Sequence, residues 1–188
     1  QEHYENILNP KDIVDLLDKY RKLPKERLYT DIPITFRGAR FGISLEDFSS
    51  SNLKPRYVIQ SNHHHDIEHT VLFYKEKLGK HKAISQFHFV DKVFLVGMYL
   101  FKNFLMKQEL KEVVGAMLNK YKVNEMPCSE EFIISDGSSN IIQMKNDVYT
   151  SVFYLSGDNV MLDDLRARVN NYQGMRRLSS EGEDKNLI

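Results

Sequence analysis

The chain has 188 residues and a mass of 22.1 kDa, the size of one domain with a sizeable core. Hydrophobic residues make up 41%, too many for wholesale disorder, and 26 basic against 26 acidic residues leave no net field for nucleic acid or an anionic membrane. Cys128 is the one cysteine, which excludes an intrachain disulfide, and the longest apolar run, Val93 to Phe101, falls short of the roughly 20 residues that span a bilayer.

In chain order, Asn9-Pro10-Lys11-Asp12 reads as a helix start, with Asn9 as cap and Pro10 at the first helical position. Ile13, Leu16, Leu17 and Tyr20 follow at helical spacing, and Pro24 stops the helix. Ile32 to Phe36 is extended, Arg37-Gly38 is a turn, and Ala39 to Leu45 is a strand. Ser49 to Asn52 is a loop, closed by Pro55, and Tyr57-Val58-Ile59 is a short strand. The spacing of Ile67, Val71, Tyr74 and Leu78 predicts a helix over 62–78, ended by Gly79.

Ala83 to Val90 and Val93 to Phe101 form a hairpin about Asp91-Lys92. Met106, Leu110, Val113, Val114, Met117 and Tyr121 mark the clearest helix, in which Gly115 is expected to admit a close neighbour. Glu131–Ser135, Asn140–Met144 and Val148–Leu155 are further strands, turned at Asp136-Gly137 and Asn146-Asp147. Asp158-Asn159 caps a last helix carrying Leu162, Leu165, Val169 and Tyr172, and Gly174 ends it. A polar tail follows from 175 to 188. Strands followed by a helix recur about three times, a rhythm compatible with duplication, although the segments scarcely match in sequence.

Four of the seven histidines fall within His63 to His69. His65-Asp66-Ile67-Glu68-His69 has H-x-x-E-H spacing and resembles the zinc motif of the pitrilysin-type peptidases, with Phe73 a little further along. That resemblance implies His65 and His69 as ligands of zinc or another divalent transition metal, Glu68 as the base acting on metal-bound water, and a distant glutamate as third ligand. Glu109 and Glu112 are the nearest helical acids, at a separation wrong for the family. On a helix whose apolar stripe is Ile67, Val71, Tyr74 and Leu78, His65 and His69 face water. The expectation is therefore a solvated first helical turn with at most a surface metal site, loosened by acid because imidazolium opposes the positive helix end.

The other chemical candidates read as structural. Cys128 is a small loop residue before a strand, His88 is a half-buried core histidine sharing a face with Ile84 and Gln86, and His81 is exposed. Asp163, Asp164, Arg166 and Arg168 make a solvated ion-paired helix face. Lys75, Lys77, Lys80 and Lys82, interleaved with Tyr74 and His81, offer a modest patch for anionic ligands, tempered by Glu76. Arg176-Arg177-Leu178-Ser179-Ser180 matches the pattern of basic-directed kinase sites. Phe94, Tyr99, Phe101, Tyr149, Phe153 and Tyr154 concentrate aromatic surface in the strands, and alternation sends Phe153 and Tyr154 to opposite faces.

These observations define a single α+β domain over 1–174. They imply a mainly antiparallel sheet of about six to eight strands, with roughly four helices packed mainly on one face. The expected function is a non-catalytic binding or accessory domain whose aromatic sheet face takes a protein, peptide or small ligand. Gln1, read as a mature N-terminus rather than an artificial boundary, favours a periplasmic or secreted setting over a cytoplasmic one. The alternatives are a metal-dependent hydrolase built on His65, Glu68 and His69, and an intracellular adaptor with a regulated tail.

Overall fold

The computed structural model describes residues 8–22, 26–64, 67–101, 107–145 and 150–171. In chain order the elements are α1 (Pro10–Lys22), β1 (Glu26–Tyr29), α2 (Leu45–Ser51), β2 (Tyr57–His64), β3 (Ile67–Leu78), β4 (His81–Val90), β5 (Val93–Phe101), α3 (Lys107–Lys120), β6 (Phe132–Ser135), β7 (Asn140–Lys145), β8 (Thr150–Leu155) and α4 (159–171). The strands form one eight-stranded sheet in the order β1-β6-β7-β8-β5-β4-β3-β2. Every pairing is antiparallel except β1 with β6. The α+β class is thus as expected. Among the described residues no helix is long and apolar enough to cross a membrane.

Local chemistry sets the element ends. Asn9 and Asp12 exchange side-chain and backbone hydrogen bonds, both 2.9 Å, at the start of α1. Ser44 caps α2 by accepting from the Asp47 amide at 3.0 Å. Arg37 with Gly38 and Asp91 with Lys92 take positive φ at two-residue turns, the conformation that a type I′ connection requires. The segment 39–45, expected as a strand, makes only isolated bridges at Ala39 and Ser44 before α2 begins. The turn expected at Asn146-Asp147 and the tail with Ser179 and Ser180 lie outside the described residues.

Alternation along each strand separates two cores. One face carries Phe87, Phe89, Phe94, Phe101, Phe132, Ile134, Ile141 and Tyr154, packed with α2 through Phe48 and with α3 through Leu110, Val114, Met117 and Leu118. The other carries Val96, Met98, Leu100, Ile133, Ile142, Phe153 and Leu155, packed with Ile13, Val14, Leu16 and Leu17 of α1 and Leu162, Leu165 and Val169 of α4. The helices therefore divide two and two, rather than gathering mainly on one face. The cause lies in the strands: both sides of β6 and β8 are apolar, and each side needs its own cover. The division also argues against duplication. β5 and β8 pair antiparallel at the centre, so a twofold axis relating β3-β4-β5-α3 to β6-β7-β8-α4 would stand perpendicular to the sheet. It would leave α3 and α4 on one face, and they lie on opposite faces.

The helix expected over 62–78 is overturned. Residues Tyr57–His64 and Ile67–Leu78 are paired strands, with Val58 opposite Leu72 and Gln60 opposite Thr70. Ile67 and His69 through Phe73 are buried, so apolar residues recur on both sides and period 3.6 and period 2 become indistinguishable. The β-branched and aromatic run Thr70-Val71-Leu72-Phe73-Tyr74 then favours the pleated form. Gly79, expected to end a helix, instead opens the two-residue turn into β4 with φ 63°.

Candidate functional site

Removing the helix removes the geometry of the proposed metal pair. Glu68 and His69 are neighbours on β3, so their side chains leave opposite faces of the sheet. His65 lies outside the described residues. His69 is 3% exposed, and its Nε2 lies 2.9 Å from Nδ1 of His88, whose Nε2 lies 2.9 Å from Oε1 of Gln86. The network assigns the protons: Gln86 Oε1 accepts from His88 Nε2–H, and His88 Nδ1 accepts from His69 Nε2–H. Burial first, and the facing His69 second, hold the His88 pKa well below the usual 6.5. His88 is fully buried rather than half-buried, because β3 and β5 flank it on both sides. Among the described residues no cluster of three or more His, Cys, Asp or Glu side chains is placed to hold a metal ion.

The structure gathers a different set of residues. Between α3 and the aromatic face lies a cavity of about 350 Å³, walled by Leu78, Tyr99, Phe101, Val113, Met117, Val152 and Tyr154. Its rim is Gly79, Lys80 and His81 from the β3–β4 turn, and Glu112, Ala116 and Lys120 from α3. The helix positions follow from spacing. Leu110, Val114, Met117, Leu118 and Tyr121 point into the core, which leaves Glu112, Val113, Ala116 and Lys120 along the flank beside the turn.

His81, expected exposed, is 8% exposed because α3 lies across it. Its Nδ1 is 3.5 Å from Glu109 Oε2 and its Nε2 is 3.3 Å from Glu112 Oε2. Lys80 Nζ reaches the same Glu112 oxygen at 3.8 Å. Glu109 and Glu112 thus both pair with His81. Inside, Tyr154 donates to Met117 Sδ at 3.9 Å. Burial, then Tyr99 and Tyr121, raise the Tyr154 pKa well above 10, and burial followed by Glu76 raises that of Tyr99. Both phenols are neutral hydrogen-bond donors in an otherwise apolar chamber. On the same face of the sheet, directly across from Val152, Gln143 is fully buried and neither of its amide atoms finds a hydrogen-bond partner.

Two other hollows are less suited to a ligand. One of about 550 Å³ lies over Arg37, Arg40, Phe41 and Phe48, but Glu76 already holds Arg37 at 2.8 Å. One of about 240 Å³ beside Cys128 is small, and the exposed Cys128 presents its amide to Glu26 at 2.6 and 2.8 Å with no histidine in the lining. The expected Asp163–Arg166 and Asp164–Arg168 pairs form at 3.5 and 3.6 Å. The same arginines also reach Asp18 of α1 and Asp91 of the β4–β5 turn, so they fasten α4 rather than merely solvate it.

Sequence reasoning had Lys80, His81, Tyr99, Phe101, Val113 and Tyr154 in view but missed their convergence, and it missed Ala116 and Lys120 altogether. The one available signal was on α3, where Glu112, Ala116 and Lys120 repeat every four residues beside the core stripe. Comparison with known proteins brings no match: no protein-family model, no curated protein and no solved structure matches the chain.

Proposed function

We propose that the protein is a non-catalytic binding domain whose site is the chamber between α3 and the aromatic face of the sheet. A single observation carries this reading: a largely apolar cavity of about 350 Å³ walled by Tyr99, Phe101, Met117, Val152 and Tyr154, with charged groups confined to its rim. Small-ligand sites have this form, an apolar body with few polar groups to fix orientation. The size suits a short aliphatic chain or one or two rings. His81, braced by two carboxylates, and neutral Tyr99 and Tyr154 act as orienting donors and walls. Among the described residues no serine, threonine or cysteine lines the chamber, which favours capture over conversion.

Calorimetry with 1-octanol, a neutral probe of chain and hydroxyl, tests the reading. Saturable one-to-one binding is expected, and Ala116→Trp, on the exposed flank of α3, is expected to abolish it while leaving the melting temperature within a few degrees of the parent. Octanol binding that survives Ala116→Trp, or no binding to the parent protein, would overturn the proposal. Because the chain has no tryptophan, the introduced indole also reports by fluorescence whether the chamber stays folded around it.

A further inference from the structure

The charges at the rim are unequal in number and in how they are satisfied. Lys80, Lys120 and Glu112 border the cavity, together with His81. Glu112 is the common partner of His81, at 3.3 Å, and of Lys80, at 3.8 Å. Glu109, nearer the start of α3, lies 3.5 Å from the other nitrogen of His81. The rim carboxylate Glu112 therefore already has partners in Lys80 and His81. Lys120 does not face an anion: its ammonium lies 5.6 Å from the ring centroid of Tyr121, and it is the rim cation without a carboxylate partner among the described residues. An entering cation would have to displace Lys80 or His81 from Glu112. An entering anion finds Lys120 available and Lys80 only loosely held.

Accepting the chamber as a ligand site, we infer that its ligand is an anionic amphiphile: a short aliphatic or aromatic body carrying one carboxylate or comparable head group. The body occupies the space among Tyr99, Phe101, Met117 and Val152. The head stays at the mouth, where Lys120 provides its counter-charge and water still reaches it, so the carboxylate keeps its ionisation without the cost of burial. Lys120 stands in the last turn of α3, where a cation is also favoured by the negative end of the helix dipole. The ligand shares that cation and does not need it created. The anionic patch suspected around Lys80 from sequence thus has a definite centre, and it lies on α3 as much as on the strands.

Three probes of one chain length separate this inference from the reading it rests on: octanoate, 1-octanol and octylammonium, titrated by calorimetry at low ionic strength and neutral pH. Octanoate is expected to bind about three- to fivefold tighter than octanol, the gain of one partly solvated ion pair, and octylammonium more weakly than either. Added salt removes that margin. Lys120→Gln brings octanoate down to the level of octanol measured on the same variant, and Lys120→Glu takes octanoate below it. Lys120 is exposed, so both variants are expected to fold, and octanol binding checks this directly. Octanol bound with no preference for octanoate, or a preference for octylammonium, overturns the anionic assignment and leaves the chamber standing. Failure of all three probes overturns both.

Discussion

The two faces of the sheet are packed from different materials. Beneath α2 and α3 the core is largely rings: Phe36 alone lies within 6.2 Å, centroid to centroid, of Phe87, Phe94, Tyr99 and Tyr154. Beneath α1 and α4 it is isoleucine, leucine, valine and methionine, with Phe153 the one aromatic of that cluster among the described residues. Aliphatic side chains have several rotamers each and interdigitate as two helices close on them. Rings are rigid plates. They meet edge to face, as Phe36 and Phe87 do at 63°. The candidate chamber opens on the ring-built face. A site can thus arise from the choice of core residue, before any polar group is placed.

The largest effect is expected at Phe36, whose ring meets four others on the aromatic face. It enters on the tight Arg37-Gly38 turn and lies against Gly97 so closely that a Cβ added there would sit 2.3 Å from the ring. Phe36→Ala is expected to cost about 3–5 kcal/mol in urea unfolding, the range for deleting a buried ring. Gly97→Ala is expected to cost about 1–3 kcal/mol by overpacking. The two should not add. With the ring gone, the methyl at 97 has room, and the double variant should be close to Phe36→Ala alone. Additive losses would mean that Gly97 is needed for its backbone and not for Phe36.

A smaller effect separates the faces by titration. On the aliphatic side of the sheet, His88 is held neutral by burial and by His69. Its folded pKa is depressed, so above 6.5 neither the folded nor the unfolded chain is protonated there and stability is flat in this group. As pH falls below 6.5, the unfolded chain takes a proton that the folded chain refuses until well below that value. Stability therefore drops with acid across that window, by at most about 1.4 kcal/mol per pH unit for one proton. Urea unfolding at intervals from pH 7.5 to 5 checks it, with His88→Leu expected to flatten the slope. An undiminished slope in that variant would move the acid sensitivity elsewhere. The acid loosening expected of a histidine-bearing helix end thus passes to a buried pair on strands.

What was legible in the sequence was local. The Asp91-Lys92 hairpin, the helix near 107–120 and the strands at 132–135 and 140–145 each announce themselves through neighbouring turn residues and one clear period. What failed was non-local. Glu26–Tyr29 is a strand only because Phe132–Ser135 lies beside it in parallel, about a hundred residues later, and four residues carry no period of their own. The segment from 67 to 78 read as a helix because burial on both faces erased the alternation. The seven-residue helix at 45–51 was the avoidable miss, since Ser44 and Asp47 stand at capping distance in the sequence. The chamber shares the non-local problem. Its walls come from β3, β5, β8 and α3, and nothing in sequence says that α3 crosses the end of the β3–β4 turn rather than the middle of the sheet.

The weakest expected effect concerns the other glycine that sequence singled out. Gly115 was expected to admit a close neighbour, yet a Cβ there would meet no atom within 4 Å, whereas at Gly97 it would meet a ring. Gly115 stands on the flank of α3, in ordinary helical conformation, and contributes only the entropy of an unconstrained backbone. Gly115→Ala is therefore expected to stabilise the protein by about 0.5–1 kcal/mol in urea unfolding, opposite in sign to Gly97→Ala. Because Ala116 rather than Gly115 borders the chamber, octanol binding should be unchanged. Destabilisation at 115 would mean that another part of the chain packs against this flank, and α3 could then no longer be taken as the open lip of the site.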